Sequence, residues 1–319
     1  MSDQIGQSYR NYSEEKIKKF PFYLKLNHNL SLLFFDLNEI SYDEFWEIID
    51  NPNIQIPQKN YVIIDRYDDR LPMYELNHNP FTPELNSIIE EKYHLVEKYS
   101  KTQKDFKTDI FEYINSKTPK TVVLYLIDGL SYIDVANLDI DKVFKKITPV
   151  FVNGKTNTIN GFKNIIYGYD DILIAKSLYY LGYDVYGLTY WNRAKNKTTD
   201  ELFKYIPENN IFTHEMDLKN IIENNPYKKK YIQIYRMGLD EDAHKIRTTN
   251  EKLINDKINE IFENIKKLVE FLGRINESFI IYVISDHGIK WDFEKNYGKG
   301  AHGGISFEEC FVPLIIIEG

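Results

Sequence analysis

The chemistry in this chain is carried by six side chains that follow short apolar runs or sit in a glycine-rich loop. Asp128 ends the run TVVLYLI in LIDGLSY, and Asp240 and His244 come after YIQIYR in RMGLDEDAHK. Asp286 and His287 come after FIIYVI in FIIYVISDHG, and His302 lies in GKGAHGG. Asp240 and His244 stand four residues apart, so a helical stretch puts both on one face. Three carboxylates and three imidazoles without sulfur form an oxygen and nitrogen donor set. That set suits two divalent cations, zinc first and manganese second, and suits magnesium less. Each fragment also has a plain structural reading: Asp128 as a helix cap, the DEDAH stretch as an exposed acidic turn, His302 as a solvated loop residue. The other four histidines, His28, His78, His94 and His214, lack such company and read as surface or core residues.

A pair of cations suits phosphoryl chemistry, because the two charges stabilise the attacking and departing oxygens of an in-line displacement. The hydroxyl candidates lie in NGKTNTINGFKNIIYG, where Thr156 and Thr158 precede a helical segment from about Asn160 to Tyr167. At a helix start, Thr158 faces free backbone N–H groups that attract phosphate oxygens; its alternative reading is an ordinary N-cap. Ser131 in DGLSY is a competing hydroxyl. In TYWNRAKNK, Tyr190 or Trp191 offers a stacking surface for a base, and Arg193 or Lys195 a charge for phosphate; a packed aromatic loop is the other reading.

These residues need a scaffold that brings strand ends together. Six β-branched runs alternate with longer helical-period segments: Thr121–Ile127, Thr148–Val152, Tyr183–Leu188, Tyr231–Arg236, Phe279–Ile284 and Val312–Ile317. That alternation predicts a parallel sheet covered on both faces, with sites at its carboxyl edge. Glu251 to Gly273 reads as a long crossover helix closed by Gly273 as C-cap, and Asp170 to Gly182 as a shorter one. Residues 1–118 read as an accessory α+β region, with strands in LSLLFFDL and NYVIID and helices from Pro83 to Ser116. The remainder, 119–319, reads as the catalytic domain.

Composition narrows the function. The 319 residues carry 40 Lys plus Arg against 48 Asp plus Glu, a net charge of −8, which argues against a broad non-specific nucleic-acid surface. The single cysteine, Cys310, forms no internal bridge and no cysteine zinc ribbon, and a reducing cytoplasm is the expected compartment. Apolar runs such as FIIYVI are far shorter than a bilayer span, so no membrane is expected as partner. No Walker A or GxGxxG motif occurs.

The order of motifs, IDG, a Thr ahead of NIIYG, DxxxH, SDHG and a final loop His, resembles the alkaline phosphatase superfamily, which includes the nucleotide pyrophosphatase/phosphodiesterases. The resemblance runs from about Thr121 to the C-terminus. The tail HGGISFEECFVPLIII, with His302, Gly303, Gly304, Glu308, Val312 and Pro313, looks most like the PglZ domains of phage-defence systems and some signalling proteins. It implies an α/β domain with an alkaline-phosphatase-like, mostly parallel sheet and helices on both faces. Carried over by position, it implies one cation held by Asp240, His244 and His302, and another held by Asp128, Asp286, His287 and the Thr158 hydroxyl. Thr158 is then the nucleophile that forms a phosphothreonine or nucleotidyl-threonine, which water releases. The phosphodiesterases have Asn three residues after their Thr, whereas this chain has Gly161 there and Asn160 one place earlier, and these two positions are expected beside the phosphate. The short interval from Thr158 to Asp240 leaves no room for the large inserted domain of related phosphoglycerate mutases, which favours hydrolysis over isomerisation.

The expectation is a cytoplasmic two-metal phosphohydrolase acting on a phosphate ester, a nucleotide or oligonucleotide diester ahead of a simple monoester. Protein partners in a defence or signalling system are part of it. Two other readings stay open: a non-catalytic interaction module that metals stabilise, and a phosphotransferase that passes the same group to an alcohol.

Overall fold

The computed structural model describes residues 22–27, 30–34, 63–64, 97, 101–136, 144, 147–190, 197–244, 251–275, 278–292 and 299–319. The chain divides into two compact units, 1–101 and 102–319. Within the first, β1 (Phe22–Asn27), β2 (Leu30–Phe34) and β3 (Ile63–Ile64) form an antiparallel sheet in the order β1-β2-β3. The last two fall inside the strands expected from LSLLFFDL and NYVIID, and β1 is additional. The helices expected from Pro83 lie, up to residue 100, outside the described residues apart from Glu97.

The second unit opens with α1 (Phe106–Lys117), followed by β4 (Thr121–Ile127), α2 (Tyr132–Ala136), β5 (Ile147–Phe151), α3 (Thr158–Tyr167), α4 (Ile174–Tyr180) and β6 (Asp184–Thr189). Then come α5 (Lys197–Leu202), β7 (Ile211–Phe212), α6 (Glu215–Asn224), β8 (Lys230–Arg236), α7 (Asp240–His244), α8 (Glu251–Arg274) and β9 (Phe279–Ser285). The chain ends with β10 (Lys290–Asp292), β11 (Lys299–Ala301), α9 (Phe307–Cys310) and β12 (Phe311–Glu318). Seven strands make one sheet in the order β5-β12-β9-β4-β8-β6-β7, and β10 pairs with β11 as a small hairpin. Every residue of β4, β8 and β9 is buried, as expected of β-branched runs covered on both faces. One face carries α6 and α8, which contribute Leu218, Ile222, Ile258, Ile265 and Leu272 to the core. The other carries α1, α3 and α4, with Phe106, Ile110, Phe162, Ile165 and Ile174.

The sheet departs from the wholly parallel pattern in its last strand. β12 runs antiparallel to both neighbours, β5 and β9. Between β9 and β12 the described elements are a three-residue hairpin and the four-residue α9, none of them a helix long enough to carry the chain back across a sheet face, so β12 enters from the site end. β7 is only two residues long, too short for any periodic signal. Gly273 does not cap its helix: α8 continues to Arg274, and nothing lies near the position of a Cβ there to force a break. The sequence boundary at residue 118 falls after α1, yet α1 packs within the second unit through Phe106, Ile110 and Ile114. Phe106 meets Tyr282 of β9 edge-on, with ring centroids 5.3 Å apart.

Candidate metal centre

The carboxyl ends of β9, β4 and β8 lie side by side, and each delivers a carboxylate: Asp286, Asp128 and Asp240. Backbone hydrogen bonds lace these ends together. Asp128 N–H donates to the Arg236 carbonyl (3.0 Å), and the Asp128 carbonyl accepts from Leu239 N–H (3.0 Å), which fixes where α7 and its Asp240 begin. Gly129 N–H and His287 N–H both donate to Asp286 Oδ1 at 2.9 Å. The Ser285 hydroxyl donates to the Ile127 carbonyl at 3.0 Å and closes the same seam.

Around this seam the imidazoles gather. His287 and Asp286 are fully buried. His287 Nδ1 lies 3.0 Å from the Gly288 carbonyl, so Nδ1 carries the proton and the Nε2 lone pair faces inward. That Nε2 is 3.5 Å from Asp286 Oδ2 and 3.7 Å from Asp128 Oδ1. His302 Nε2 lies 3.0 Å from Asp240 Oδ1, and His244 Nε2 lies 3.4 Å from the same oxygen. The rings of His287 and His302 stack at 4.4 Å, and His244 sits edge-on to His302 at 5.1 Å. The His244 side chain is 62% exposed, whereas those of Asp240 and His302 are each 17% exposed. Two sets of donor atoms fall within 4.8 Å of one another: Asp128, Asp286 and His287, and Asp240, His287 and His302. His287 belongs to both.

The electrostatics identify a site built for positive charge. Burial, then the neighbouring Asp286 charge, push the Asp128 carboxyl up to about 8, although Tyr235 donates to its Oδ2 at 2.7 Å. Burial pushes Asp286 up to about 7. Asp286 Oδ2 is buried and accepts no hydrogen bond among the described residues. Two buried carboxylates without a compensating charge are costly, and a divalent cation between them removes that cost. Asp240, by contrast, is held below the usual carboxylate range by the hydrogen bond and charge of His302 and its imidazole neighbours, which outweigh its burial. The donor set and the orphaned oxygen both fit divalent cations.

Thr158 opens α3 beside this cluster, its Oγ1 3.3 Å from His287 Nε2 and 3.5 Å from Asp128 Oδ1. It is not the cap of its helix. Asn157 takes that position in extended backbone and accepts the Asn160 N–H at 3.0 Å, so the threonine hydroxyl is left facing the carboxylates. α3 is brought across the sheet by Phe162, which meets Tyr235 edge-on at 5.2 Å. Thr156 is fully buried, and its hydroxyl binds Gly303 and Gly304. Ser131 is also fully buried, just before α2, and its N–H donates to Asp134.

The positions expected beside the phosphate divide. Gly161 lies against Asp286: a Cβ there would sit 1.9 Å from the Asp286 carbonyl oxygen. The departure from Asn at this position is therefore a packing requirement, because only glycine lets α3 approach the Asp286 turn so closely. The Asn160 amide donates to the Asn153 and Lys155 carbonyls at 2.5 and 2.7 Å, closing the loop ahead of α3. Tyr190 takes the packed reading: its hydroxyl donates to Glu215, and the Arg236 guanidinium lies 4.5 Å over its ring. Trp191, Arg193 and Lys195 lie outside the described residues.

A buried amide network escaped the sequence reading. Gln103 Nε2 donates to the Ser285 and Asp286 carbonyls at 2.9 and 2.6 Å, while its Oε1 accepts from Asn164 of α3 at 3.3 Å. Asn164 also donates to the Asn153 carbonyl at 2.7 Å. Gln103 thus ties the turn that carries Asp286 to the helix that carries Thr158. Nothing local marks it, since the two carbonyls it binds lie more than 180 residues away and Asn164 lies 61 residues away.

No protein-family model matches the chain, and no curated protein matches it. Among solved structures it is similar to the C-terminal periplasmic domain of the phosphoethanolamine transferase EptC from Campylobacter jejuni, at 13% identity and a TM-score of 0.43, over 63% of this chain and 80% of that one. It is also similar to murine ectonucleotide pyrophosphatase/phosphodiesterase 5, at 17% identity and a TM-score of 0.38, over 55% of this chain and 59% of that one. A third likeness is to a mutant of TAB5 alkaline phosphatase with magnesium bound, at 12% identity and a TM-score of 0.40, over 63% of this chain and 92% of that one.

Proposed function

We propose that the chain is a phosphoryl-transfer enzyme that hydrolyses a phosphoric ester through Thr158, with two divalent cations, zinc ahead of manganese, in the cluster described above. The observation that carries this reading is a threonine hydroxyl, free of any capping role, within 3.5 Å of the Asp128 carboxylate and the buried His287 imidazole, beside Asp286, whose buried Oδ2 accepts no hydrogen bond among the described residues. Asp128, Asp286 and His287 would hold one cation; Asp240 and His302, with His244 at the rim, would hold the other. When bound, such ions supply positive charge for the phosphoryl oxygens and lower the pKa of a hydroxyl or water.

The chain's own residues do the rest. Asp128 Oδ1 is placed to accept the Thr158 proton, while the Nε2 lone pair of His287, close to the same hydroxyl, would be turned to the cation. The Thr158 oxygen forms a bond to phosphorus as the bond to the leaving alcohol breaks, which gives a phosphothreonine, or a nucleotidyl-threonine from a diester. Water then attacks that phosphorus, and the Thr158 oxygen departs and takes back a proton. The exposed N-terminus of α3 offers backbone N–H groups to the non-bridging oxygens.

The finer parts of the proposal are a nucleotide or oligonucleotide diester as substrate, a PglZ-like role in a defence or signalling system with its protein partners, and a cytoplasmic setting. No described helix is long and apolar enough to cross a membrane. Turnover of nitrophenyl phosphate mono- and diesters, with and without chelator, tests the core of it. Chelator-sensitive turnover with diester preference is the expected result. Stoichiometric zinc without turnover on a broad nucleotide panel would overturn it in favour of a scaffold.

A further inference from the structure

We propose that Thr156 is a positioning residue for the cation at Asp240 and His302: its side chain locks the loop that carries His302 onto the loop that carries Thr158. The inference rests on the two-cation reading above and deepens it.

Thr156 uses its hydroxyl fully. Its Oγ1 accepts the Gly303 N–H at 3.0 Å and donates to the Gly304 carbonyl at 2.6 Å. Its own carbonyl accepts from His302 Nδ1 at 3.2 Å, which turns Nε2 toward Asp240 Oδ1 at 3.0 Å, where a cation would take the place of the Nε2 proton. Both hydroxyl bonds depend on an unusual loop: Gly303 has φ +99°, a backbone conformation that L side chains rarely adopt. From the opposite side the buried Glu309 carboxylate accepts Gly304 N–H at 2.8 Å and Ser306 N–H at 3.2 Å. The His302 loop is therefore gripped at Gly303 and Gly304 by Thr156 and at Gly304 and Ser306 by Glu309. Of the two grips, only Thr156 joins it to the nucleophile segment, two residues before Thr158. A burial this complete also removes Thr156 from the list of nucleophiles.

The roles separate by chemistry. Valine matches threonine in shape and lacks the hydroxyl; serine keeps the hydroxyl and loses only a methyl group. Zinc competition titration of the chelator-stripped full-length protein reads the consequence without reference to turnover. Thr156→Val is expected to weaken one of two zinc-binding classes by about 10- to 100-fold and leave the other within about threefold, while Thr156→Ser restores the weakened class. In a His302→Ala background, Thr156→Val is expected to add no further loss, because the two substitutions act on the same ligand. Unchanged zinc affinities in Thr156→Val, or a fully additive loss in the double variant, would overturn the inference. Thr156→Ala, which lacks the same hydroxyl, serves under the same criteria if the valine variant does not fold. A parent chain that binds no zinc overturns the two-cation reading and this inference with it; a parent that binds two, with Thr156→Val unchanged, overturns this inference alone.

Discussion

Thr158 stands at the first helical position of α3 while Asn157 does the capping, and this division of labour frees the hydroxyl for chemistry. Replacing Thr158 with Ala is expected to lower turnover about 10³-fold or more while both cations stay bound, as single-turnover assays and metal analysis on the same preparation would show. Undiminished turnover would remove Thr158 from the mechanism. The buried acids make a second prediction, for the metal-free protein. Asp128 and Asp286 titrate near about 8 and about 7 in the folded chain, both chiefly through burial. An unfolded aspartate titrates near about 3.9, so between these values the folded state holds protons that the unfolded state has released, and stability falls as pH rises. His287, held low by burial, works in the opposite sense only below its unfolded value of about 6.5. Thermal melts of chelator-treated protein should therefore drop in midpoint between about pH 6.5 and 8, and zinc should lessen the slope by taking the place of the protons on Asp128 and Asp286, while the share of Asp134, pushed up to about 7 by burial, remains. A midpoint that climbs over that range without metal would contradict the assignment.

Elements explain why some of the site was legible in the sequence and some was not. The strands β4, β8 and β9 that lead to the candidate ligands are apolar on both faces, so a polar residue just beyond them is conspicuous, and Asp128, Asp240, Asp286 and His287 announced themselves in this way. Gly161 and Gln103 carry no such contrast. Their roles come from contacts with Asp286, far along the chain, and long-range contacts leave no periodic trace. Gly161→Ala should push α3 away from Asp286, costing about 1–3 kcal/mol in denaturant unfolding and, by misplacing Thr158, about 100-fold in kcat/KM. Parent-like kinetics in a folded Gly161→Ala protein would show that the close approach is dispensable. Gln103→Leu strips two buried carbonyls of their donor and should cost about 1–3 kcal/mol for each carbonyl left unsatisfied, read by the same unfolding experiment. The C-cap expected at Gly273 failed for the converse reason: glycine permits a helix stop without imposing one, and here the backbone simply continues.

The molecule as a whole divides at 101/102, and the boundary bears on what a stable fragment of the second unit must contain. A chain that starts at Pro119 discards Gln103 together with Phe106, Ile110 and Ile114, which are buried against the sheet. Each such side chain is worth about 1.5–3 kcal/mol when fully buried, and their sum approaches the about 5–15 kcal/mol that stabilises a whole domain. A fragment from Thr102 to Gly319 is expected to unfold cooperatively and to bind zinc, while one from Pro119 is expected to be insoluble or molten by near-UV circular dichroism. Equal behaviour of the two would refute the structural weight given to α1. The α/β class and the sheet core were readable because six β-branched runs recur between helical segments; the direction of β12 was not, since a buried strand has the same composition whichever way it runs. That strand lies between β5 and β9, both of which precede it in the chain. As the nascent chain leaves the ribosome, β5 emerges well ahead of the neighbour that fills the gap beside it. Until that neighbour is made a bare strand edge faces solvent, and His302 lacks the anchored loop that holds it in place, so a pause ahead of β12 leaves a polypeptide open to aggregation and with its candidate metal site unassembled.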